Sequence, residues 1–78
     1  MRELVQYLAK SLVSKPDAVE VNETEDGNAS ILRLRVAKED LGRIIGKQGR
    51  TAKSIRAILN AAASRTNRKV DLEIVEAD

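Results

Sequence analysis

Seventy-eight residues, 42% hydrophobic but only 1% aromatic, with a formal charge of +2, describe a chain sized for one domain. Folding at this length hides only about 60% of the unfolded surface, so the core must be small and is assembled from Leu, Ile, Val and Ala. With no cysteine and no histidine, disulfides, Cys/His zinc sites, thiol nucleophiles and imidazole acid–base chemistry are excluded. The remaining carboxylates are scattered through surface-like patterns, which predicts a protein without enzymatic activity, cofactor or metal. No apolar stretch reaches the length of a membrane span and the N-terminus has no continuous apolar h-region, so the expectation is a cytoplasmic protein with no membrane association.

Residues 2 to 14 place Leu4, Val5, Leu8, Ala9 and Leu12 at helical spacing, with Arg2, Glu3, Gln6 and Lys10 on the other faces. This predicts an amphipathic helix stopped by Pro16. Val19 and Val21 then alternate with Glu20 and Asn22 as in a half-buried strand, Glu25-Asp26-Gly27-Asn28 signals a turn, and Leu32 to Val36 alternates as the second strand of a hairpin. Asp40 to Ile45 reads as a short helix or turn. Ala52, Ile55, Leu59, Ala62 and Ala63 recur at intervals of three and four, marking a helix from about Arg50 to Arg65. Thr66-Asn67-Arg68 breaks it, and Val70, Leu72 and Ile74 alternate with Asp71, Glu73 and Val75 as a last strand. The order αββααβ predicts an α+β fold, a three-stranded sheet with helices packed on one face. Arg33 and Arg35 on one strand and Asp71 and Glu73 on another point away from the apolar side. If those strands are neighbours, they form cross-strand ion pairs on the open face of about 0.2–1 kcal/mol each.

Charge is segregated along the chain. Residues 1–30 sum to −3, residues 31–70 to +9 and the last eight to −4. Inside the basic segment lies Leu41-Gly42-Arg43-Ile44-Ile45-Gly46-Lys47-Gln48-Gly49-Arg50. Gly46 and Gly49 tolerate φ > 0, so a tight turn between them can bring bare amides against a sugar-phosphate chain. The helix that begins near Arg50 adds unpaired N-terminal donors and a positive dipole end. Lys47 and Arg50 bring formal charge, Lys53 stands one turn beyond Arg50, and Arg43 borders the same region from the preceding turn. Arg56, a further turn along, reads equally as groove or surface charge; Arg65, Arg68 and Lys69 read as solvated or as reaching flanking phosphates. Ile44 and Ile45, adjacent on a helix, divide between core and groove, and sequence does not say which faces which. Ile55 and Leu59 read as core.

Two alternatives fail on residues. A Walker A loop needs four residues between its glycines and a hydroxyl after Lys, whereas three separate Gly42 from Gly46 and Gln48 follows Lys47. Modules that stack bases on aromatic side chains need more than Tyr7, the single aromatic.

The stretch Ile44 to Arg56 resembles the KH signature: an aliphatic pair, GxxG, then a helix with Lys and Ile-Arg at matching offsets. The element order and length are similar to the small stand-alone bacterial KH proteins of the KhpA (YlqC-like) family, and on that reading the resemblance covers residues 1–78. It implies a type II KH domain with two of its three strands parallel, which periodicity cannot show. It implies capture of single-stranded RNA by Gly46, Lys47, Gln48, Gly49, Arg50, Lys53, Arg43 and Ile45, with about four bases in an aliphatic groove. It further implies a post-transcriptional regulator or RNA chaperone acting as a homodimer, or as a heterodimer with a larger KhpB (Jag)-like KH protein. The rival expectation is a KH-fold scaffold whose main duty is dimerisation, for which the narrow Ala-rich face of the long helix leaves room.

Overall fold

The computed structural model of the protein describes residues 1–77. Helix α1 (Arg2–Leu12) buries Val5 and Ala9 and ends two residues earlier than its periodicity predicts. The cause is a competing partner: the Ser14 amide and hydroxyl both donate to the Asp40 carboxylate, so the chain turns extended at Val13. Pro16 therefore opens a 3₁₀ turn over Pro16–Ala18 rather than stopping the helix.

Strands β1 (Glu20–Asp26) and β2 (Ala29–Val36) form an antiparallel hairpin closed by Gly27 and Asn28 alone, with Asp26 opposite Ala29. Gly27 at φ +62° supplies the Gly-first geometry of a two-residue hairpin turn, which lets pairing continue through Glu25 and Asp26, residues whose composition reads as turn. A 3₁₀ turn at Lys38–Asp40 leads into the short helix α2 (Leu41–Ile45), then a second at Lys47–Gly49 into α3 (Arg50–Ser64). Strand β3 (Lys69–Glu76) returns beside β2 in parallel, giving the sheet order β1-β2-β3. A parallel neighbour requires a crossover, and α2 with α3 is that crossover.

Leu32, Leu34 and Val36 of the central strand, all fully buried, meet Val5 and Ala9 of α1, Ile44 of α2, and Ile55, Leu59 and Ala63 of α3. Ala62, expected with them, is half-buried. On the open face the expected ion pairing holds in part. Arg33 Nε lies 3.1 Å from Glu73 Oε2, but the parallel register sets Asp71 opposite Ile31 and Val75 opposite Arg35. Arg35 turns instead toward Glu20 of β1, 3.9 Å away. Arg68, read as a solvated or phosphate-reaching cation, is half-buried and engaged within the fold. Its Nη2 donates to Glu25 Oε1 at 3.1 Å and to the buried Ser30 Oγ at 3.0 Å, tying the end of the crossover to the hairpin.

Candidate nucleic-acid interface

Helix α2 is brought to a stop by Gly46, whose φ of 78° and ψ of 171° belong to a region that only glycine occupies readily. Gln48 follows at φ 58°, ψ 27° and Gly49 at φ 73°, ψ 12°, both left-handed, before α3 starts at Arg50. Three residues of positive φ in four reverse the chain between two helices that are packed against each other. The sequence marks the two glycines; Gln48 carries no composition signal for its positive φ.

The loop spends some of its amides on itself. Gly46 N donates to Gly42 O at 2.8 Å, Gly49 N to Gly46 O at 3.1 Å, and the Arg50 amide to Lys47 O. Among the described residues no backbone carbonyl accepts from the amides of Lys47 or Gln48. The donors left for an anion are therefore those two amides and the first turn of α3, rather than the glycine amides themselves.

Around them the side chains sort by exposure. Lys47, Gln48, Arg50 and Lys53 are exposed, and among the described residues none of the three cations forms an ion pair. Arg43 is exposed too, but its Nε lies 3.5 Å from Asp40 Oδ1, so part of its charge is already answered. The isoleucine pair divides as helix geometry requires: Ile44 is 0% exposed in the core and Ile45 is 43% exposed beside the loop. Arg56 lies on an exposed stretch of α3, yet its Nη2 donates to Leu72 O of β3 at 3.1 Å. This contact matters for the strand's geometry. The amides of Lys69 and Ala77 reach carbonyls on the β2 side, so the even-numbered residues of β3 present their backbone groups to the outer edge, where Arg56 meets Leu72.

Three residues beyond the glycine motif shape the site. Thr51, on the first turn of α3, packs against Gly46. Asp40, fully buried, carries the hydrogen bonds that seat α2. Its carboxyl is held below its ordinary value, first by the Ser14 amide and then by the Ser14 hydroxyl, the Lys15 amide and Arg43, against the opposing effect of burial. Ile58 stands on the outer face of α3 at 45% exposure. Only a contact map could have exposed the first two. Ile58 breaks the pattern of the helix's buried stripe and was legible as an outlier.

The αββααβ order, the mixed sheet and a GxxG turn joining α2 to α3 define a KH domain of the type II arrangement. More narrowly, residues 2–74 match the KhpA/KhpB KH-domain family, and the chain belongs to it. It is a family of binding domains and not of enzymes. The chain is 53% identical over 75 residues to the RNA-binding protein KhpA of Clostridium perfringens, covering 96% of this chain and 100% of that one. It is 51% identical over 76 residues to the KhpA of Chlamydia trachomatis serovar D, covering 97% of each. Among solved structures, Aquifex aeolicus Era bound to GDP and aluminium fluoride superposes with a TM-score of 0.61 at 23% identity, a likeness of fold. Era in complex with MgGDPNP and a segment of 16S ribosomal RNA gives 0.56 at 27% identity. Each match covers 96% of this chain but 29% of the Era chain. No helix among the described residues is long and apolar enough to cross a membrane.

Proposed function

We propose that this chain, as a single KH domain over residues 1–78, binds single-stranded RNA by its backbone. The observation that carries the reading is the Gly46–Gly49 turn, where the amides of Lys47 and Gln48, without a backbone partner among the described residues, sit beside three exposed cations, Lys47, Arg50 and Lys53, that no carboxylate among those residues neutralises. Phosphates seat on the loop and the first turn of α3, Arg43 borders the site, and Ile45 offers an apolar surface to the bases. The outer edge of β3, with Arg56 at Leu72 O, supplies the hydrogen-bonding rim for base choice. Support comes from the relatives named RNA-binding protein KhpA and from the Era structure that contains ribosomal RNA.

One short site with no aromatic platform binds modestly, and a second, physically linked site multiplies the affinity through effective concentration. We place that second site in another copy of the chain or in a larger KhpB (Jag)-like KH partner, in the cytoplasm, where the pair acts as a post-transcriptional regulator or RNA chaperone. The exposed Ile58, with Ala57 and Ala61 also exposed on α3, favours such pairing and equally supports the second reading, a dimerisation scaffold with incidental RNA contact. The experiment is an NMR titration of wild type and Lys47→Asp/Gln48→Asp with a pool of short single-stranded RNAs at two salt concentrations. Shifts from Arg43 to Arg56, weakened by salt and lost in a folded double variant, are expected. Shifts elsewhere, or unchanged in the variant, overturn the clamp and leave the scaffold.

A further inference from the structure

An aspartate immediately before a helix ordinarily folds back to cap that helix's own first turn. Asp40 does not. Its backbone is already on the helical side, at φ −99° and ψ −6°, and its side chain makes no cap bond to α2. The carboxylate reaches instead to the corner between α1 and β1. Oδ1 accepts from the Ser14 amide and the Ser14 hydroxyl, each at 2.9 Å, and Oδ2 accepts from the Lys15 amide at 3.1 Å. With Arg43 Nε at 3.5 Å from Oδ1, both oxygens of a fully buried carboxylate are engaged.

The consequence is mechanical. Helix α2 is five residues long, about 7.5 Å, with Asp40 at one end and Gly46 at the other. A helix this short has little hydrogen bonding of its own to set its direction, so its packing and its anchored start decide where its end lies. Ile44 fixes its depth in the core, and the Asp40 bonds fix its start against the α1–β1 corner. Together they determine the attitude at which Lys47 and Gln48 present their amides.

We propose that Asp40 is a positioning residue for the RNA clamp: by binding Ser14 and Lys15 it holds α2 so that the Gly46–Gly49 loop stands ready for phosphate. The proposal rests on the reading of that loop as an RNA site. It assigns Asp40 no contact with RNA. A carboxylate beside Arg43 would by charge alone weaken binding, and this opposition of sign makes the role measurable.

The test is Asp40→Asn, which keeps volume but turns one acceptor into a donor, so the three bonds to Ser14 and Lys15 cannot all survive. If the loop is then competent in a tenth to a third of molecules, affinity for a pool of short single-stranded RNAs falls about 3- to 10-fold. The slope of affinity against salt stays that of wild type, because no phosphate contact is removed. The amide signals of Lys47, Gln48 and Gly49 shift in the RNA-free variant. Ser14→Ala, which loses one bond, gives a smaller change of the same sign and serves if Asp40→Asn does not fold, while Ser14→Thr restores wild-type behaviour. Unchanged or tighter RNA binding in a folded variant overturns the proposal; tighter binding would make Asp40 only a competitor for Arg43. If wild type binds no RNA, the clamp reading itself fails, and the loop amides alone judge the brace: shifted they support it, unshifted they overturn it.

Discussion

Gly46 and Thr51 are packed so closely that a Cβ built on Gly46 would lie 2.6 Å from Thr51 Cβ and 2.8 Å from the Thr51 amide nitrogen. The second of these neighbours is backbone and cannot rotate away. Gly46 is thus demanded twice, by its φ of 78° and by the first turn of α3, whereas Gly49 at φ 73° has open space where its Cβ would go. Gly46→Ala should destabilise the fold by about 1–3 kcal/mol from backbone conformation alone, with the clash added to it. Gly49→Ala should lose about 1 kcal/mol, the penalty of a left-handed L-residue. Urea denaturation of both variants checks the order, and equal losses would refute the steric assignment.

Neighbouring isoleucines should respond in opposite ways. Ile44→Ala removes a fully buried side chain and is expected to cost about 2–5 kcal/mol. Ile45→Ala, at an exposed position, should stay within about 0.5 kcal/mol of wild type and reduce RNA affinity instead. Parallel denaturation and RNA titration separate the two, and a loss of stability at Ile45 with unchanged RNA affinity would remove it from the groove.

How much of this was readable beforehand follows from the range of the interactions involved. Helix α3 was legible because Ala52, Ile55, Leu59 and Ala63 repeat the helical period and are the residues it buries. The hairpin was legible from alternation and Gly27. The division of Ile44 from Ile45 was not, because it depends on which side of a five-residue helix meets the sheet. Asp40 was invisible for a different reason: its partners Ser14 and Lys15 stand 26 and 25 residues earlier, and no local pattern links them. Arg68 looked like one more surface cation until the parallel return of β3 put it beside Ser30 and Glu25. The parallel pairing itself came from family resemblance, since alternation does not distinguish strand direction.

The exposed cations predict a salt dependence. If Lys47, Arg50 and Lys53 each neutralise one phosphate, the logarithm of RNA affinity should fall with the logarithm of salt at a slope of about −2, from about 0.7 per contact on single strands. Lys53→Ala should reduce that slope by about 0.7, and Gln48→Ala should leave it unchanged. Fluorescence anisotropy across a salt series reads both. A slope unaltered by Lys53→Ala would take that residue off the phosphate path.

Arg68 tests the opposite case, a cation with a structural duty inside the basic segment. Arg68→Ala withdraws the donor to the buried Ser30 hydroxyl and is expected to cost about 1–2 kcal/mol, most of it from that bond, since the Glu25 partner is exposed and contributes little. RNA affinity of the folded variant should match wild type with an unchanged salt slope. Weaker RNA binding with full stability would return Arg68 to the interface.

Acid should reveal the Asp40 brace without any RNA. The Asp40 carboxyl is lowered from its ordinary value of 3.8 in the folded state, first by the Ser14 amide, so the folded protein binds that proton less readily than the unfolded chain does. The stability this confers is therefore complete above the unfolded value and is lost as pH falls through the folded one, beginning near pH 4 and continuing below it. Glu39 is also lowered, by its hydrogen bond from Lys15, but both side chains of that pair are exposed and the contribution is small. Asp40→Asn has no proton to take up at this position. Its melting temperature should lie below that of wild type at pH 7, and the two should approach each other as pH drops below about 4. Thermal melts of both proteins from neutral to strongly acid pH make the comparison. Curves that stay parallel across that range would mean that the Asp40 charge contributes nothing to holding α2 against the α1–β1 corner.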